Sequence, residues 1–474
     1  MSKGKEYAKN TIILLIGKFA TQFFTLFLLP LYTHYLLSED YGLVDLYQTY
    51  VNLFVPVFLM CLDSAVFRFL IDTRENKFET NQIIVSSYLK TFQQALLFLI
   101  IAFVIGHFIK INYFYLLIFN VIAIMFSNVS LQICRGIGKN IVYSMSCIIS
   151  ACVTLLINVL LIVVFKQNAG SILIASGIAN TLCTIFIVFN TKIYKNFSKK
   201  NFSKPKIKEM LKYSIPLIPN ALSWWIVNVS DRTIISTIIS TSANGIYTVS
   251  CKFSNILNSI FSIFTMSWQE SASLHINDKD KDEFFTNMIN NIYKLFVSVS
   301  LLIILVVGLF FNVLIGKDYV LSYKYIPILI LANSFNVLIG LFGGIYIAKK
   351  LTKKMTSTTI ISAVINLIVD LLLIKKIGLY AACLSTLIAF MSMAIYRYID
   401  VQKYVKVKIK FSTIMSTVLA FLATFAAYYS SNYVFMSLML LFVTMFSFLS
   451  NKELIAAGIN SSLGKLIKIK RKDS

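Results

Sequence analysis

The feature that most constrains this chain is a succession of apolar runs, each about 20 residues or longer. A helix of that length spans the hydrocarbon core of a bilayer, whereas a barrel strand needs only about 10 residues of alternating polarity. The chain has 474 residues, of which 58% are hydrophobic and 14% are charged. Because so few polar groups could not cover a soluble protein of this size, the sequence predicts an all-α polytopic membrane protein.

The apolar runs predict fourteen transmembrane spans. The first one is too long for a cleaved signal peptide and lacks a small-residue cleavage site, so we interpret it as a span. The predicted ranges are 11–35, 42–67, 83–108, 112–133, 141–165, 169–189, 211–239, 245–271, 286–311, 325–347, 356–374, 378–397, 411–429 and 432–449.

Basic residues predict the orientation of these spans. The net charge is +24, and lysines concentrate at both termini and in alternate loops, as the positive-inside rule requires of cytoplasmic segments. We therefore expect a multi-pass protein of the cytoplasmic membrane with both termini inside, whose basic loops contact anionic membrane lipids rather than nucleic acid. The loops predicted to lie outside hold few basic residues: Lys110, Lys166, Lys317, Lys324, Lys375 and Lys376.

The longest basic connection divides the chain into two halves of six spans. We predict an N-terminal lobe over 1–190, a basic cytoplasmic linker over 191–210, a C-terminal lobe over 211–400, two further spans within 401–449 and a basic cytoplasmic tail over 450–474.

Corresponding residues support an internal repeat. Gly42 and Gly245 each follow a short polar turn and open the second helix of a half, and Asn158 of span 5 has a counterpart in Asp370 of span 11. Because each half has an even number of spans, the halves are parallel repeats about an axis along the membrane normal, an architecture found in transporters.

The sequence shows no pattern typical of catalysis or metal binding. The seven cysteines are scattered without a CxxC pair, the three histidines are far apart, and neither a Walker A motif nor a nucleophile motif occurs. We therefore predict that the chain is not an enzyme and has neither a cofactor nor a metal site.

Span 7 combines membrane character with charge. Charges inside a bilayer cost about 2.5–3.5 kcal/mol each on insertion scales, so they usually face a bundle interior or a hydrated cavity. At helical spacing Asn220, Trp224, Asn228 and Asp231 share one face, which we interpret as a cavity wall. In the alternative interpretation, Asp231 and Arg232 lie near a helix end and extend to the membrane surface.

Four cations on the first two spans of each half suggest a path for an anion. Lys18 and Arg68 are predicted on the inner side, and Arg232 and Lys252 on the outer side. If these helices face each other, they form a ladder of positive charge for an anionic headgroup. Alternatively, Lys18 and Arg68 extend to the inner headgroups, and Lys252 pairs with Asp231.

Other polar positions extend the predicted cavity. Gln22 lies on span 1, Asn255 belongs to a polar stripe on span 8, and Ser362, Asn366 and Asp370 form a stripe on span 11. Asp370 has an alternative role in an interhelical hydrogen bond.

Three acids are candidates for coupling transport to a proton or sodium ion: Asp63, Asp231 and Asp370. Two further positions have structural interpretations. Pro56 is expected to break span 2, and Trp268 is expected to anchor the end of span 8 at the membrane interface.

Four stretches of the chain resemble bacterial polysaccharide flippases of the Wzx type, which belong to the multidrug/oligosaccharidyl-lipid/polysaccharide exporter superfamily. The resemblance covers nearly the whole chain, and span 7 is its most specific part. It implies two six-helix lobes around a central cavity with two additional C-terminal helices. The stretches are KNTIILLIGKFATQFFTLFLLPLYTHYLLSEDYGLVDLY, CLDSAVFRF, and SIPLIPNALSWWIVNVSDR with NGIYTVSCKFSNIL.

The resemblance implies that the chain translocates undecaprenyl-diphosphate-linked oligosaccharide units from inside to outside by alternating access, with polymerase and chain-length proteins of the same pathway as candidate partners. One alternative is a cation-coupled multidrug exporter, and another is a lipid II flippase of the same superfamily. A membrane-bound polysaccharide polymerase or ligase is a further alternative, against which the short outer loops argue.

Overall fold

The structure, a computed structural model, describes residue 24 and residues 27–108 and 112–452. The predicted cavity residues Lys18 and Gln22 lie outside the described residues. Within them the regular secondary structure is entirely helical, which confirms the all-α class.

The helices are numbered here in chain order. They are α1 over 27–35, α2 Ser38–Phe58, α3 Leu62–Asp72, α4 Lys77–Phe108, α5 Phe114–Gly136, α6 Asn140–Asn158, α7 Gly170–Thr191, α8 Lys204–Ser214, α9 Ile218–Ile238, α10 Thr241–His275, α11 Lys281–Leu314, α12 Ile326–Ala348, α13 Thr352–Ile377, α14 Leu379–Val401, α15 Phe411–Tyr429 and α16 Tyr433–Ser450.

Shorter helical segments extend or connect these helices. A π-helical segment continues α6, and 3-10 segments join α7 to α8, α8 to α9 and α11 to α12. They are Val159–Val164, Ile193–Asn196, Lys199–Asn201, Ile215–Leu217 and Lys317–Tyr325.

Ten helices among the described residues are long and apolar enough to cross a membrane, and the bent pair α2–α3 brings the number to eleven. The polytopic membrane class is therefore confirmed. Neither α9 nor α10 belongs to this set, because amides, hydroxyls and charges on both helices lower their mean hydropathy.

Span 2 is broken in its last third, shortly after Pro56, as expected from that proline. Helices α2 and α3 meet at 51°, and Met60 and Cys61 between them have positive φ angles of 54° and 50°. A break exposes backbone carbonyls that need new donors within a membrane. The Cys61 amide donates to the Pro56 carbonyl at 3.0 Å, and the buried Gln94 amide donates to the Leu59 carbonyl at 3.2 Å.

The chain divides into two compact units. Unit 1 comprises residues 1–248 and 315–319, and unit 2 comprises 249–314 and 320–474. Helix α9 thus belongs to unit 1, and α10 begins in unit 1 and continues into unit 2. The two-lobe division at 191–210 stays a prediction.

In unit 1, α5 packs against α7 and α3, and α2 packs against α9. Part of its core is formed by Cys134, Cys183 and Ile187, against which Leu131 and Val142 pack. The cysteines here act as small apolar side chains, and all seven cysteines of the chain are free thiols.

In unit 2, α14 packs against both α12 and α13, and α11 packs against α15 and α16. Trp268 of α10 is 1% exposed, and its indole N–H donates to the Leu341 carbonyl at 2.9 Å. Gly344 provides the space for this ring, because a Cβ there would overlap the indole. The expected interfacial anchor is therefore wrong, and Trp268 is a core residue.

Candidate functional site at the junction of α2, α9 and α10

Two glycines allow the first turns of α2 and α10 to touch backbone to backbone. A Cβ on Gly42 would overlap the Thr241 carbonyl oxygen and lie 2.6 Å from the Gly245 nitrogen. A Cβ on Gly245 would overlap the Ser38 carbonyl oxygen and lie 2.9 Å from its carbon. Each glycine therefore meets the carbonyl that begins the other helix, a self-complementary contact of the kind that a two-fold axis produces.

Hydrogen bonds hold this crossing together. The Oγ atoms of Ser38 and Ser242 are 2.7 Å apart, and the buried Asn244 amide donates to the Gly42 carbonyl at 2.7 Å. Gly42 and Gly245 are the two glycines that mark the sequence repeat, and within unit 1 they lie against each other.

A buried ion pair lies one turn beyond the crossing. Arg232 Nε of α9 is 2.8 Å from Asp45 Oδ2 of α2, and the two side chains are only 10% and 6% exposed. The Thr248 hydroxyl of α10 donates to the same carboxylate oxygen at 2.8 Å. Three helices thus share one carboxylate, and removing either charge would leave the other buried without its counterion.

The neighbouring Asp231 has a different partner. Tyr247 of α10 donates its hydroxyl to Asp231 Oδ2 at 2.8 Å, and both residues are buried. The adjacent acid and base of α9 therefore contact different helices, with Asp231 facing α10 and Arg232 facing α2.

Tyrosines cover this end of unit 1. The Tyr319 hydroxyl donates to the Leu36 carbonyl at 3.0 Å, which fixes the segment 315–319 over the turn between α1 and α2. The rings of Tyr41 and Tyr319 meet edge to face at 6.1 Å, and Tyr32 and Tyr41 lie 5.5 Å apart. These tyrosines therefore pack together where α2 begins, one turn before Asp45.

The predicted polar face of α9 changes environment along its length. Asn220 and Trp224 are partly exposed and Asn228 is exposed, whereas Asp231 is buried. The adjacent Trp225 donates its indole N–H to the Thr49 carbonyl at 2.9 Å and so fixes α9 against α2. The face is accessible along the first turns of the helix and enclosed at the ion pair.

The other predicted cations differ in their surroundings. Arg68 of α3 is about half exposed and contacts Asp72 at 2.5 Å, one turn along the same helix. In unit 2, Lys252 is partly buried on α10 and Asn255 is exposed on the same helix. Asp63 is partly buried in the first turn of α3, directly after the break in span 2.

The polar stripe of α13 does not line a hydrated surface. Ser362, Asn366 and Asp370 are all fully buried. Ser362 donates to the Ala389 carbonyl at 3.1 Å, and Asn366 donates to Ser385 Oγ at 3.2 Å. Both acceptors belong to α14, so this stripe is an interhelical contact, and its interpretation as part of the cavity wall is wrong.

Asp45 was missed by sequence reasoning, although a signal for it was present. An acid inside a predicted span is expensive and normally has a partner, and Asp45 stands three residues after the repeat glycine Gly42. Thr248 stands three residues after Gly245. Extending the alignment of the two halves by one helical turn beyond the glycines would therefore have matched Asp45 with Thr248.

Arg397 of α14 was missed as well. It is 1% exposed, and it donates from Nε and Nη2 to Thr358 Oγ1 at 3.1 and 2.9 Å and from Nη1 to the Ile339 carbonyl at 3.0 Å. Its guanidinium lies 5.6 Å from the Tyr346 ring. Because these partners tie α12, α13 and α14 together, Arg397 is a structural residue of unit 2.

Solved structures of membrane transporters have the same fold. An inward-facing multidrug resistance MATE family transporter of the MOP superfamily matches with a TM-score of 0.68 and 12% identity, covering 83% of this chain and 97% of its own. Lipid II flippase MurJ, in an inward closed conformation, matches with a TM-score of 0.67 and 18% identity, covering 94% and 100%. A Vibrio cholerae MATE transporter matches with a TM-score of 0.56 and 12% identity, covering 84% and 96%.

These similarities show that the chain has the fold of these MOP-superfamily transporters. The family model described as Polysaccharide biosynthesis protein matches residues 7–269, which is more than half of the chain. The chain belongs to this polysaccharide biosynthesis protein family, and the resemblance found in its sequence is confirmed. Among curated protein sequences, none matches the chain significantly.

Proposed function

We propose that this protein is a flippase that translocates undecaprenyl-diphosphate-linked oligosaccharide repeat units across the bacterial cytoplasmic membrane by alternating access, for surface polysaccharide assembly. The family supports a role with lipid-linked sugars. The observation that carries the mechanism is the junction of α2, α9 and α10, where a close glycine crossing and a buried ion pair close one end of unit 1.

The junction serves as the outer gate in this proposal. Glycine contacts and hydrogen bonds between helices are short-range and separate together, so the junction has two discrete arrangements, closed and open. On opening, Arg232 leaves Asp45 and its guanidinium becomes available to a diphosphate, which it binds through charge-assisted hydrogen bonds. The substrate thus replaces the carboxylate as counterion, and this exchange offsets the cost of breaking a buried pair.

The remaining predicted site residues have roles within this cycle. Lys18 and Arg68 receive the diphosphate on the inner side, and Lys252 accompanies Arg232 on the outer side. The sugars contact the accessible part of α9, where Asn220 and Asn228 lie.

The proposed topology has fourteen spans, arranged as six, six and two, with both termini in the cytoplasm. Helices α9 and α10 count as spans because their polar faces line the path, which is also why their mean hydropathy is low. Polymerase and chain-length proteins of the same pathway are the proposed protein partners, and no cofactor is required.

A reversible cross-link tests the gate. In a background without native cysteines, Ser38→Cys and Ser242→Cys replace hydroxyls that are 2.7 Å apart, a geometry that suits a disulfide. Oxidation should stop translocation of lipid-linked oligosaccharide in proteoliposomes, and a reductant should restore it. The matched control pairs Ser300→Cys with Ser334→Cys, whose Oγ atoms are 3.1 Å apart between α11 and α12, and it should stay active when oxidised.

The same vesicles test the substrate. Vesicles should translocate undecaprenyl-diphosphate oligosaccharide in preference to lipid II and should not exchange an organic cation. Unchanged translocation by the oxidised Ser38–Ser242 pair would refute the gate. Preferential movement of lipid II or of the organic cation would refute the substrate, even if the gate behaves as proposed.

A further inference from the structure

Helix α8 is fixed against α4 as a built surface of unit 1. Ser203 caps α8 and its backbone N–H donates to Ser86 Oγ at 2.9 Å. Met210 is fully buried, and Lys206 contacts Glu79 of α4 at 3.2 Å. Because contacts fix the helix at its first turn and at its middle, the grooves beside it have defined walls.

A groove of about 510 Å³ lies between α4 and α8, a size typical of small-molecule sites. Within α8 the basic and apolar lining residues lie on adjacent stripes, because the lysines recur every four residues and Ile207 and Leu211 each follow a lysine by three positions. The apolar residues are Phe202, Ile207, Leu211 and Ile215, and the basic residues are Lys204, Lys208 and Lys212, with Lys90 contributed by α4.

The positive charge of this groove is not neutralised by the described residues. No acid lines the groove, and none of its four lysines forms an ion pair with a described carboxylate. Glu79 of α4 and Glu209 of α8 both contact Lys206, which does not line the groove. The groove therefore has an excess of positive charge, which favours an anionic ligand.

A second groove of about 520 Å³ lies alongside the first. The two grooves share Phe202 and Gln93, and the second is otherwise lined mainly by Val85, Leu89 and Phe197. Phe202 therefore lies between two apolar channels, and among the described side chains only the first channel has a lysine rim. This arrangement matches a molecule with one anionic head and two hydrocarbon chains.

We propose that α4 and α8 form a binding site for a two-chain anionic phospholipid of the cytoplasmic leaflet. The lysines of the first groove bind the headgroup phosphate, and the acyl chains lie on either side of Phe202. A basic pocket beside a transmembrane helix on the cytoplasmic side is a physically favourable place for such a headgroup. This site goes beyond the proposed transport function, and its placement in the cytoplasmic leaflet rests on the proposed topology.

Two charge-matched variants test the site. The pocket variant replaces three lysines of the groove, as Lys204→Gln, Lys208→Gln and Lys212→Gln. The control variant replaces three lysines of the same linker that do not line the groove, as Lys192→Gln, Lys195→Gln and Lys200→Gln. Binding of phosphatidylglycerol in mixed micelles to the purified full-length chain, against phosphatidylcholine as reference, is the measurement.

Phosphatidylglycerol affinity should fall about tenfold or more in the pocket variant and about twofold or less in the control, because each lysine near a headgroup contributes substantially to its binding. Both variants should melt at the temperature of the parent without lipid, since the replaced side chains form no ion pair within the part of the chain that the structure describes. Equal losses in the two variants would overturn the site in favour of diffuse attraction.

The proposed binding of two acyl chains has a separate test. The parent should bind phosphatidylglycerol more tightly than its single-chain lyso form, and Phe202→Ala should reduce that preference several-fold. An unchanged preference would overturn the two-chain arrangement. If undecaprenyl diphosphate binds more tightly than phosphatidylglycerol, the groove is a substrate subsite and the phospholipid assignment is overturned. If inorganic phosphate alone competes with phosphatidylglycerol, the groove is a simple anion site and the assignment is also overturned.

Discussion

The substitution Gly42→Ala tests the junction most directly. The new Cβ would overlap the Thr241 carbonyl oxygen and lie 2.6 Å from the Gly245 nitrogen, whereas ordinary contacts are 3.4 Å or longer. Both neighbours are backbone, so no rotamer change relieves the overlap. The overlap with the Thr241 oxygen is the larger of the two, so the two helices must separate by more than about 1 Å at this point.

A separation of that size disrupts the hydrogen bonds across the junction. The Ser38–Ser242 contact, now 2.7 Å, would lengthen beyond about 3.5 Å, which is the outer limit of a hydrogen bond. Overpacking costs about 1–3 kcal/mol, and a lost hydrogen bond costs about 1 kcal/mol. The closed junction should therefore lose about 2–4 kcal/mol, which corresponds to a roughly 30- to 900-fold lower ratio of closed to open molecules.

The assay is the oxidation rate of the Ser38→Cys and Ser242→Cys pair in the cysteine-free background, with and without Gly42→Ala. Cross-linking should become much slower in the alanine variant, and translocation should change with it. Gly106→Ala is the matched control, because its Cβ would meet only the ring of Phe114, a side chain that can rotate. Parental cross-linking in the Gly42→Ala variant would refute both the backbone contact and the gate derived from it.

Three further predictions concern buried polar groups. Asp45→Asn and Arg232→Gln should each destabilise the protein by about 3–5 kcal/mol, while the double variant recovers most of the loss; additive losses in melting temperature would refute the pairing. Arg397→Ala should lower the melting temperature strongly, because the buried acceptors of this arginine lose their donor. Arg68→Ala should leave the melting temperature nearly unchanged, because this side chain is half exposed. Similar shifts in the two variants would contradict this prediction. Asn366→Ala should lower the melting temperature without changing substrate affinity, because its amide contacts α14; a selective loss of substrate affinity would instead restore the cavity interpretation.

Whether a polar residue lines a hydrated cavity was the property that the sequence predicted least well. Helical spacing correctly grouped Ser362, Asn366 and Asp370 on one face of α13, but spacing does not say what that face meets. In the structure it meets α14 rather than water. The same limit applied to α9, where Asn228 and Asp231 share a face by spacing but differ in burial.

The sequence by itself determined the class of the protein, because the length and hydropathy of a span are local properties that each helix must satisfy alone. It also located the two glycines of the repeat and the break after Pro56. Only the tertiary structure decided the partners of the buried charges, since Arg232 and Asp45 are nearly two hundred residues apart and Arg397 draws its acceptors from two other helices. The physical reason is that a buried charge requires a partner, whereas the packing of the helices selects which residue supplies it.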